Sequence, residues 1–89
     1  MEKTVEIKVA SNSSVKSVAG SIAKSIEAGN RVELSAIGAG AVNQAVKALA
    51  MSRGFLSSKG RDLYVAPGFA TININGNDKT AIKFILKFL

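Results

Sequence analysis

The sequence contains no cysteine, histidine or tryptophan. Without cysteine there is no disulfide and no thiol nucleophile, and without histidine there is no imidazole general base. Zinc sites built from cysteine or histidine are excluded as well. Six carboxylates, one tyrosine and a supply of serines and lysines remain for chemistry. We therefore expect no enzyme activity, no catalytic residue, no metal site and no cofactor.

Long hydrophobic runs are also absent. No apolar stretch approaches the ~20 residues that a membrane-spanning helix needs, and the start of the chain lacks the apolar segment of a signal peptide. We expect a cytoplasmic protein without a membrane partner. The 89 residues, 47% of them hydrophobic, form one globular domain over residues 1–89 in this interpretation.

Acidic residues are few in comparison with basic ones. Twelve lysines and arginines stand against six acidic residues, which gives a net charge of +6. Such an excess on a small body favours anionic partners, such as nucleic acid, a phosphorylated ligand or an anionic membrane surface. A small protein can also be basic for reasons unrelated to a ligand, and composition alone leaves both interpretations open.

Changes in hydrophobic period indicate where the secondary structure lies. The serine- and asparagine-rich segment 11–14 is typical of a helix N-cap, and Gly29 with Asn30 is typical of a helix end. A second helix follows the turn at 38–40 and ends near Gly54. The predicted segments are strand 5–9, helix 15–26, strand 31–37, the second helix, and a strand that opens at 63–65.

The C-terminal third contains both a turn and an ambiguity. Pro67 and Gly68 predict a bend or bulge, after which alternation resumes at 72–75. Gly76 between two asparagines predicts a hairpin turn. Segment 79–89 fits a strand, which the turn and the aromatic residues favour, or a helix with three lysines on one side. The helix would permit a different function, association with a membrane surface.

The resulting order is β-α-β-α-β-β. Strand–helix–strand units cross over with a right hand. The predicted fold class is therefore α/β in the broad sense, an α+β two-layer sandwich with one four-stranded mixed sheet and both helices on one face. The last strand carries apolar residues on both sides, so we expect an apolar open face that a homodimer or higher oligomer covers in part.

Two short motifs each have a chemical and a structural interpretation. Gly38 and Gly40 let the backbone approach an anion at a helix start, or they simply permit a tight turn and close packing. Asn43 stands where a dinucleotide site needs a third glycine. Ser13 and Lys16 have the S-x-x-K spacing of penicillin-binding enzymes, but without the companion motifs we interpret them as a cap and a solvated lysine.

The remaining charged and aromatic residues fit structural roles. Glu6 and Glu33 lie on polar strand faces, where we expect weak surface pairs with Lys8 and Arg31. We expect the tyrosine and the four phenylalanines to lie mostly in the core. Phe69 is the aromatic residue that could be presented to a partner.

The sequence resembles the stage V sporulation protein S family. The resemblance rests on the segment 14–20, on the run 36–48 (AIGAGAVNQAVKA) and on shorter matches at 53–55, 62–63 and 80–83. It implies a small bacterial protein of sporulation and cell division without enzymatic activity. The element order and the helix start at 41–46 also resemble the Alba superfamily, which implies a dimer that binds DNA or RNA with basic residues and a hairpin.

From these observations we expect a regulatory protein that binds DNA or RNA without strong sequence preference. The candidate nucleic-acid contacts are Lys16, Gly38, Gly40, Asn43, Lys47, Arg53, Lys59 and Arg61. The asparagine-flanked hairpin around Gly76 would reach outward beside them. The alternative is a protein-interaction module that regulates a division or sporulation partner through the open sheet face.

Overall fold

The computed structural model describes residues 3–88 and contains the predicted elements in the predicted order. The elements are β1 (Thr4–Val9), α1 (Val15–Glu27), β2 (Arg31–Ala36), α2 (Ala39–Ser57), β3 (Leu63–Ile74) and β4 (Asn77–Phe88). The strands form one sheet in the order β1-β2-β4-β3. β1 and β2 are parallel, and the other neighbours are antiparallel. The predicted α+β class and the mixed four-stranded sheet are confirmed.

Both helices pack on one face of the sheet, because the strands place their apolar residues there. In β2, Val32, Leu34 and Ala36 are buried, whereas the alternating Glu33 and Ser35 lie on the opposite face, here called the open face. The buried residues that the other elements add to this core include Val9, Ala19, Ile22, Ile26, Ala45, Leu56, Phe84 and Leu86.

The two helices approach each other through small side chains. Ala19 of α1 and Ala48 and Ser52 of α2 are all completely buried. The Ser52 hydroxyl donates to the Ala48 carbonyl at 2.8 Å and lies 3.3 Å from the Ala19 carbonyl. This side chain is therefore satisfied in the core, as a buried polar group must be.

Two predicted breaks in secondary structure are wrong. α2 continues through Gly54 to Ser57, so the predicted end near Gly54 falls inside the helix. β3 runs without a bend or bulge, and Pro67 and Gly68 each face one residue of β4. β3 is an edge strand, so the missing N–H of a proline there removes no bond from the ladder.

The predicted hairpin turn is confirmed. Asn75 and Gly76 form a two-residue loop between β3 and β4, with φ values of 52° and 82°. Two positive φ angles match the right-handed twist of the flanking strands, and asparagine followed by glycine is the preferred sequence for such a loop. Segment 79–88 is part of a strand, so the helical alternative is wrong there; Leu89 lies outside the described residues. Among the described helices, none is long and apolar enough to cross a membrane.

The hairpin projects beyond the rest of the sheet. β2 stops pairing with β4 at Ala36 opposite Ile82. Residues 70–81, here called the arm, therefore continue past the end of β2 for five residues on each strand, or roughly 17 Å.

The aromatic side chains are less buried than expected. Of the tyrosine and the four phenylalanines, only Phe84 belongs to the buried core. Phe55, Tyr64 and Phe69 expose 44%, 52% and 83% of their surface. The expectation that they lie mostly in the core is wrong, because two layers of this size leave the sheet edge and the helix flanks uncovered. The exposure of Phe69 agrees with the prediction that it could meet a partner.

Candidate nucleic-acid interface

The sheet topology brings three features to one end of the molecule. β1 and β2 are parallel and end side by side, with Val9 opposite Ala36. Each leads directly into a helix, so α1 and α2 both begin at this end. The arm extends past the same end, because β4 runs antiparallel to β2. We call the end of the domain at which both helices begin and the arm projects the arm end.

Serines fix the loop between β1 and α1. The Ser13 hydroxyl accepts from the Ala10 amide at 2.8 Å, and the Ser14 hydroxyl caps α1 by accepting from the Ser17 amide at 3.2 Å. The Gln44 side chain of α2 donates to the Ser13 carbonyl at 2.9 Å. A cap within 11–14 is confirmed, but Ser14 forms it and the assignment to Ser13 is wrong. The loop is attached to the second helix.

The glycine turn before α2 has a packing role. Gly38 is the N-cap residue, with φ of 90° and no side chain to close the helix end. A Cβ atom on Gly40 would lie 3.0 Å from the Ser11 Cβ, closer than ordinary contacts allow. Glycine at position 40 therefore lets the first turn of α2 lie against the β1–α1 loop, which supports the structural interpretation of the motif.

Lys16, Asn43 and Lys47 are exposed on the helices that begin at the arm end. Lys16 lies in the first turn of α1. Lys47 is four residues from Asn43 and shares its helix face. Because α2 already begins at Ala39, Lys47 is its ninth residue, roughly 12 Å along the axis. It therefore lies about two turns inside the helix.

The other three predicted contacts lie at the opposite end. Arg53 is 13 residues beyond Gly40, or roughly 20 Å along the helix axis. Lys59 and Arg61 follow the end of α2. The predicted residues thus form two groups, and no single face of the domain carries them all.

The cations of this second group already have partners. The Arg53 guanidinium lies 2.8 Å and 3.5 Å from the two Asp62 carboxylate oxygens. That hydrogen bond lowers the pKa of Asp62 and raises the pKa of Arg53. Lys59 pairs with Glu27, and Arg61 lies 4.6 Å above the centre of the Phe88 ring. A phosphate would have to compete with these contacts.

The arm carries polar side chains in addition to the asparagines next to Gly76, which were the only ones that the sequence-based prediction named. Asn73 accepts from the Gly76 amide at 3.2 Å and donates to Asp78 at 3.1 Å, which stiffens the tip. Asn75 and Lys79 are exposed. Lys79 is three residues after the glycine of the predicted hairpin turn, so its place on the arm could have been predicted from the sequence.

A cleft separates the arm from the end of β1 and the loop that follows it. It has a volume of about 570 Å³ and is lined by residues that include Lys8, Ser11, Ile37, Ile74 and Asn75. Lys8 is not among the contacts predicted from the sequence. No sequence signal shows that the arm lies beside the end of β1, because β1 and β3 are the two edges of the sheet.

The open face differs from the expected apolar surface. Lys83 lies at its centre, 3.1 Å from Glu33 and 3.8 Å from Glu6. The hydrogen bond to Glu33 raises the pKa of Lys83. The predicted partners of the two glutamates, Lys8 and Arg31, did not include this cross-strand lysine. On β4, Ala81 is buried and Ile85 is 38% exposed, and on β3 Tyr64 and Ile74 of this face are 52% and 43% exposed. The apolar surface is therefore divided by the charged cluster around Lys83.

The architecture defines a small two-layer α+β domain with a projecting hairpin. The sequence matches the family model of stage V sporulation protein S (SpoVS) over residues 5–88. Since the match covers nearly all of the 89 residues, the chain belongs to this family. The resemblance noted in the run 36–48 is confirmed. The family is one of small sporulation-related regulatory proteins and is not a known enzyme family.

Proposed function

We propose that this sporulation-related protein binds DNA or RNA without strong sequence preference, with the arm end as its contact surface. One observation carries the proposal: the projecting polar arm lies at the same end as the exposed Lys16. An extended anionic polymer could lie along the arm and reach the helix start together. The resemblance to the Alba superfamily, whose hairpins follow the minor groove, supports the same interpretation.

The distribution of charge supports the proposal. Every carboxylate in residues 3–88 has a contact inside the domain: two meet Lys83, one each meets Arg53 and Lys59, and Asp78 bonds an asparagine amide. The exposed lysines with no ion pair within that part of the chain include Lys8, Lys16, Lys47 and Lys79. Lys8, Lys16 and Lys79 belong to the arm end or its cleft, and Lys47 lies on a helix that begins there. Positive charge on this side is therefore not cancelled locally.

The chemistry of these residues favours contacts to the backbone of the nucleic acid. Lysines meet phosphates as point charges, and asparagine amides bond phosphate and sugar oxygens or groove edges. Such contacts give affinity with little sequence information. If four lysines each neutralise one phosphate, the logarithm of the affinity falls with a slope of about −3.6 against log salt. Raising salt from 50 to 200 mM then weakens binding roughly 100-fold.

Fluorescence anisotropy with labelled duplex DNA and with labelled RNA tests the proposal. Lys16→Ala and Lys47→Ala should each weaken binding to unrelated sequences and make the salt slope about one unit shallower. Lys24→Ala is the matched control, because Lys24 is an exposed lysine in the last turn of α1, away from the arm end. Equal effects of all three variants would refute the assignment of the contact surface.

A second candidate function is docking of a protein partner on the open face. A pocket of about 240 Å³ favours it, with Glu6, Lys8, Glu33 and Lys83 along its lining. Charges of both signs suit a polar partner surface better than a polyanion. If the unmodified protein binds neither DNA nor RNA at low salt, and its lysate partners persist after nuclease treatment, this function replaces the first.

A further inference from the structure

A groove opens at the end of the domain opposite the arm, between the last two turns of α2 and the loop that follows this helix. Its volume is about 640 Å³, which lies in the usual range for small-molecule sites. The lining comes from the helix and from the loop, with Ala50, Arg53, Gly54 and Ser57 on the first side and Gly60, Arg61 and Asp62 on the second. Each side therefore contributes one guanidinium group.

Arg53 is held at one edge of its guanidinium and is open at the other. Its Nε lies 2.8 Å from Oδ1 of Asp62, and its Nη2 lies 3.5 Å from Oδ2. The third nitrogen, Nη1, has no hydrogen bond or ion pair within residues 3–88, and the side chain is 62% exposed. An anion therefore competes with Asp62 only on the Nε side. At the Nη1 end it meets a guanidinium that Asp62 keeps oriented.

Arg61 is held by a contact that uses none of its N–H donors. Its guanidinium carbon lies 4.6 Å from the centre of the Phe88 ring, and a cation above a ring face is attracted without a hydrogen bond. No carboxylate in the described part of the chain pairs with Arg61. Asp62 is the one acidic residue in the lining and already offsets Arg53. The charge of Arg61 therefore leaves the groove positive.

Gly54 keeps the helix side of the groove open. It lies inside α2, where glycine costs stability relative to alanine. An added Cβ would meet no protein atom within 4 Å, so packing does not require a glycine at this position. Gly60 differs, because its φ of 76° by itself favours glycine after a helix end. Close approach of a ligand to the helix gives Gly54 a role that the fold does not.

We propose that this groove binds the phosphate group of a small phosphorylated molecule, between Arg53 and Arg61. A guanidinium meets phosphate or carboxylate oxygens with a pair of N–H donors. One such fork satisfies the two oxygens of a carboxylate. Two forks on opposite sides of a groove suit the three terminal oxygens of a tetrahedral phosphate better.

The helix side has room for the rest of the molecule. Ala50 is exposed and Gly54 has no side chain, so this surface carries nothing larger than a methyl group. A flat apolar part of a ligand can lie against it. The Ser57 hydroxyl donates to the Gly54 carbonyl at 3.1 Å, which leaves its oxygen free to accept from a ligand hydroxyl.

The surroundings favour a small ligand over a nucleic-acid backbone. Asp62 lies in the lining, and Glu27 pairs with Lys59 directly before Gly60. These carboxylates repel a polyanion that extends past the groove, whereas a single phosphate ends within it. Arg53 is also roughly 20 Å from Gly40 along α2, so the groove and the arm end are separate sites.

NMR titration of ¹⁵N-labelled, nucleic-acid-free protein with phenyl phosphate tests this inference. The ligand should shift the amide signals of Gly54, Gly60 and Arg61 and leave Gly76 at the arm tip unchanged. Benzoate, which carries a carboxylate on the same ring, should bind about ten-fold more weakly. Arg61→Gln should raise the dissociation constant of phenyl phosphate about ten-fold or more, the loss expected for a charge-assisted hydrogen bond. Lys16→Gln removes the same charge at the arm end and should leave this constant unchanged.

Two glycine substitutions separate ligand binding from stability. Gly20→Ala is matched to Gly54→Ala, because Gly20 also lies inside a helix with no atom within 4 Å of an added Cβ, but outside the groove lining. Both substitutions should raise the melting temperature in circular dichroism, which also checks the fold of Arg61→Gln. Only Gly54→Ala should weaken phenyl phosphate binding, by several-fold.

Three results would overturn the proposal. The first is no shift of the groove amides with millimolar phenyl phosphate, and the second is benzoate binding as tight as that of phenyl phosphate. The third is a dissociation constant that neither Arg61→Gln nor Gly54→Ala changes. None of these measurements requires nucleic acid, so the outcome is independent of the proposed function.

Discussion

Gly54→Ala is expected to stabilise the domain. Gly54 lies inside α2 with helical backbone, and an added Cβ would meet no atom within 4 Å. Glycine inside a helix costs roughly 0.5–1 kcal/mol relative to alanine, because it loses more backbone freedom on folding. Since no clash opposes the substitution, the whole gain should appear in the free energy of unfolding.

The gain corresponds to a measurable shift of the melting temperature. At about 2.1 cal/mol/K per residue, the unfolding entropy of the chain near 60 °C is roughly 0.19 kcal/mol/K for 89 residues. A stabilisation of 0.5–1 kcal/mol then raises the melting temperature by roughly 3–5 °C. The change is large enough for differential scanning calorimetry or a circular dichroism melt.

Gly76→Ala is the matched control for Gly54→Ala. Gly76 also has open space around it, but its φ of 82° strains any residue with a Cβ. The control should therefore lower stability by roughly 1–2 kcal/mol, the cost of the left-handed conformation. Similar stabilisation by both substitutions would mean that only the unfolded chain responds to them. A decrease for Gly54→Ala would mean that its surroundings are not open, and either result refutes the reasoning.

Four further substitutions test the core and one ion pair. Leu34→Ala should cost roughly 2–5 kcal/mol in urea unfolding, because Leu34 is completely buried in β2; a smaller loss would contradict a tightly packed core. Ser52→Leu should cost roughly 1–3 kcal/mol by overpacking the helix contact. Ser52→Ala should cost roughly 1 kcal/mol or less, since both carbonyls that the hydroxyl meets lie within helices. Asp62 has a lowered pKa, so its contribution to stability is present above the ordinary value of 3.8 and is lost as the pH falls through the lowered value. Melting temperatures of the wild type and Asp62→Asn should therefore converge in acid, and a constant difference would exclude this linkage.

The sequence was most informative where local signals and tertiary structure agree. The alternation in 5–9, the helical spacing in 15–26 and the Asn75-Gly76 turn each depend on neighbouring residues, and the structure confirms all three. The predicted helix end at Gly54 and the predicted bend at Pro67 were wrong for the same reason. Each is a strong local breaker, but α2 tolerates a glycine in its interior, and an edge strand tolerates a proline.

The candidate site was predictable only in part. Residues near Gly40 were found together because they belong to one continuous motif. Arg53 lies roughly 20 Å from Gly40 along α2, and the predicted end of the helix near Gly54 was already enough to separate it from them. The pairing of Lys83 with Glu6 and Glu33 depends on strand register over some 50 residues or more, and no local pattern encodes that register.

The position of β4 has a consequence for synthesis of the protein. β4 is last in sequence but lies between β2 and β3 in the sheet. A chain that emerges from the ribosome N-terminus first can form β1, α1 and β2 early, but β2 then keeps an unpaired inner edge. The sheet can close only after Phe88 has been released. Folding is therefore completed after translation of β4, and a chain cut short before Asn77 would lack the strand that joins β3 to the rest of the domain.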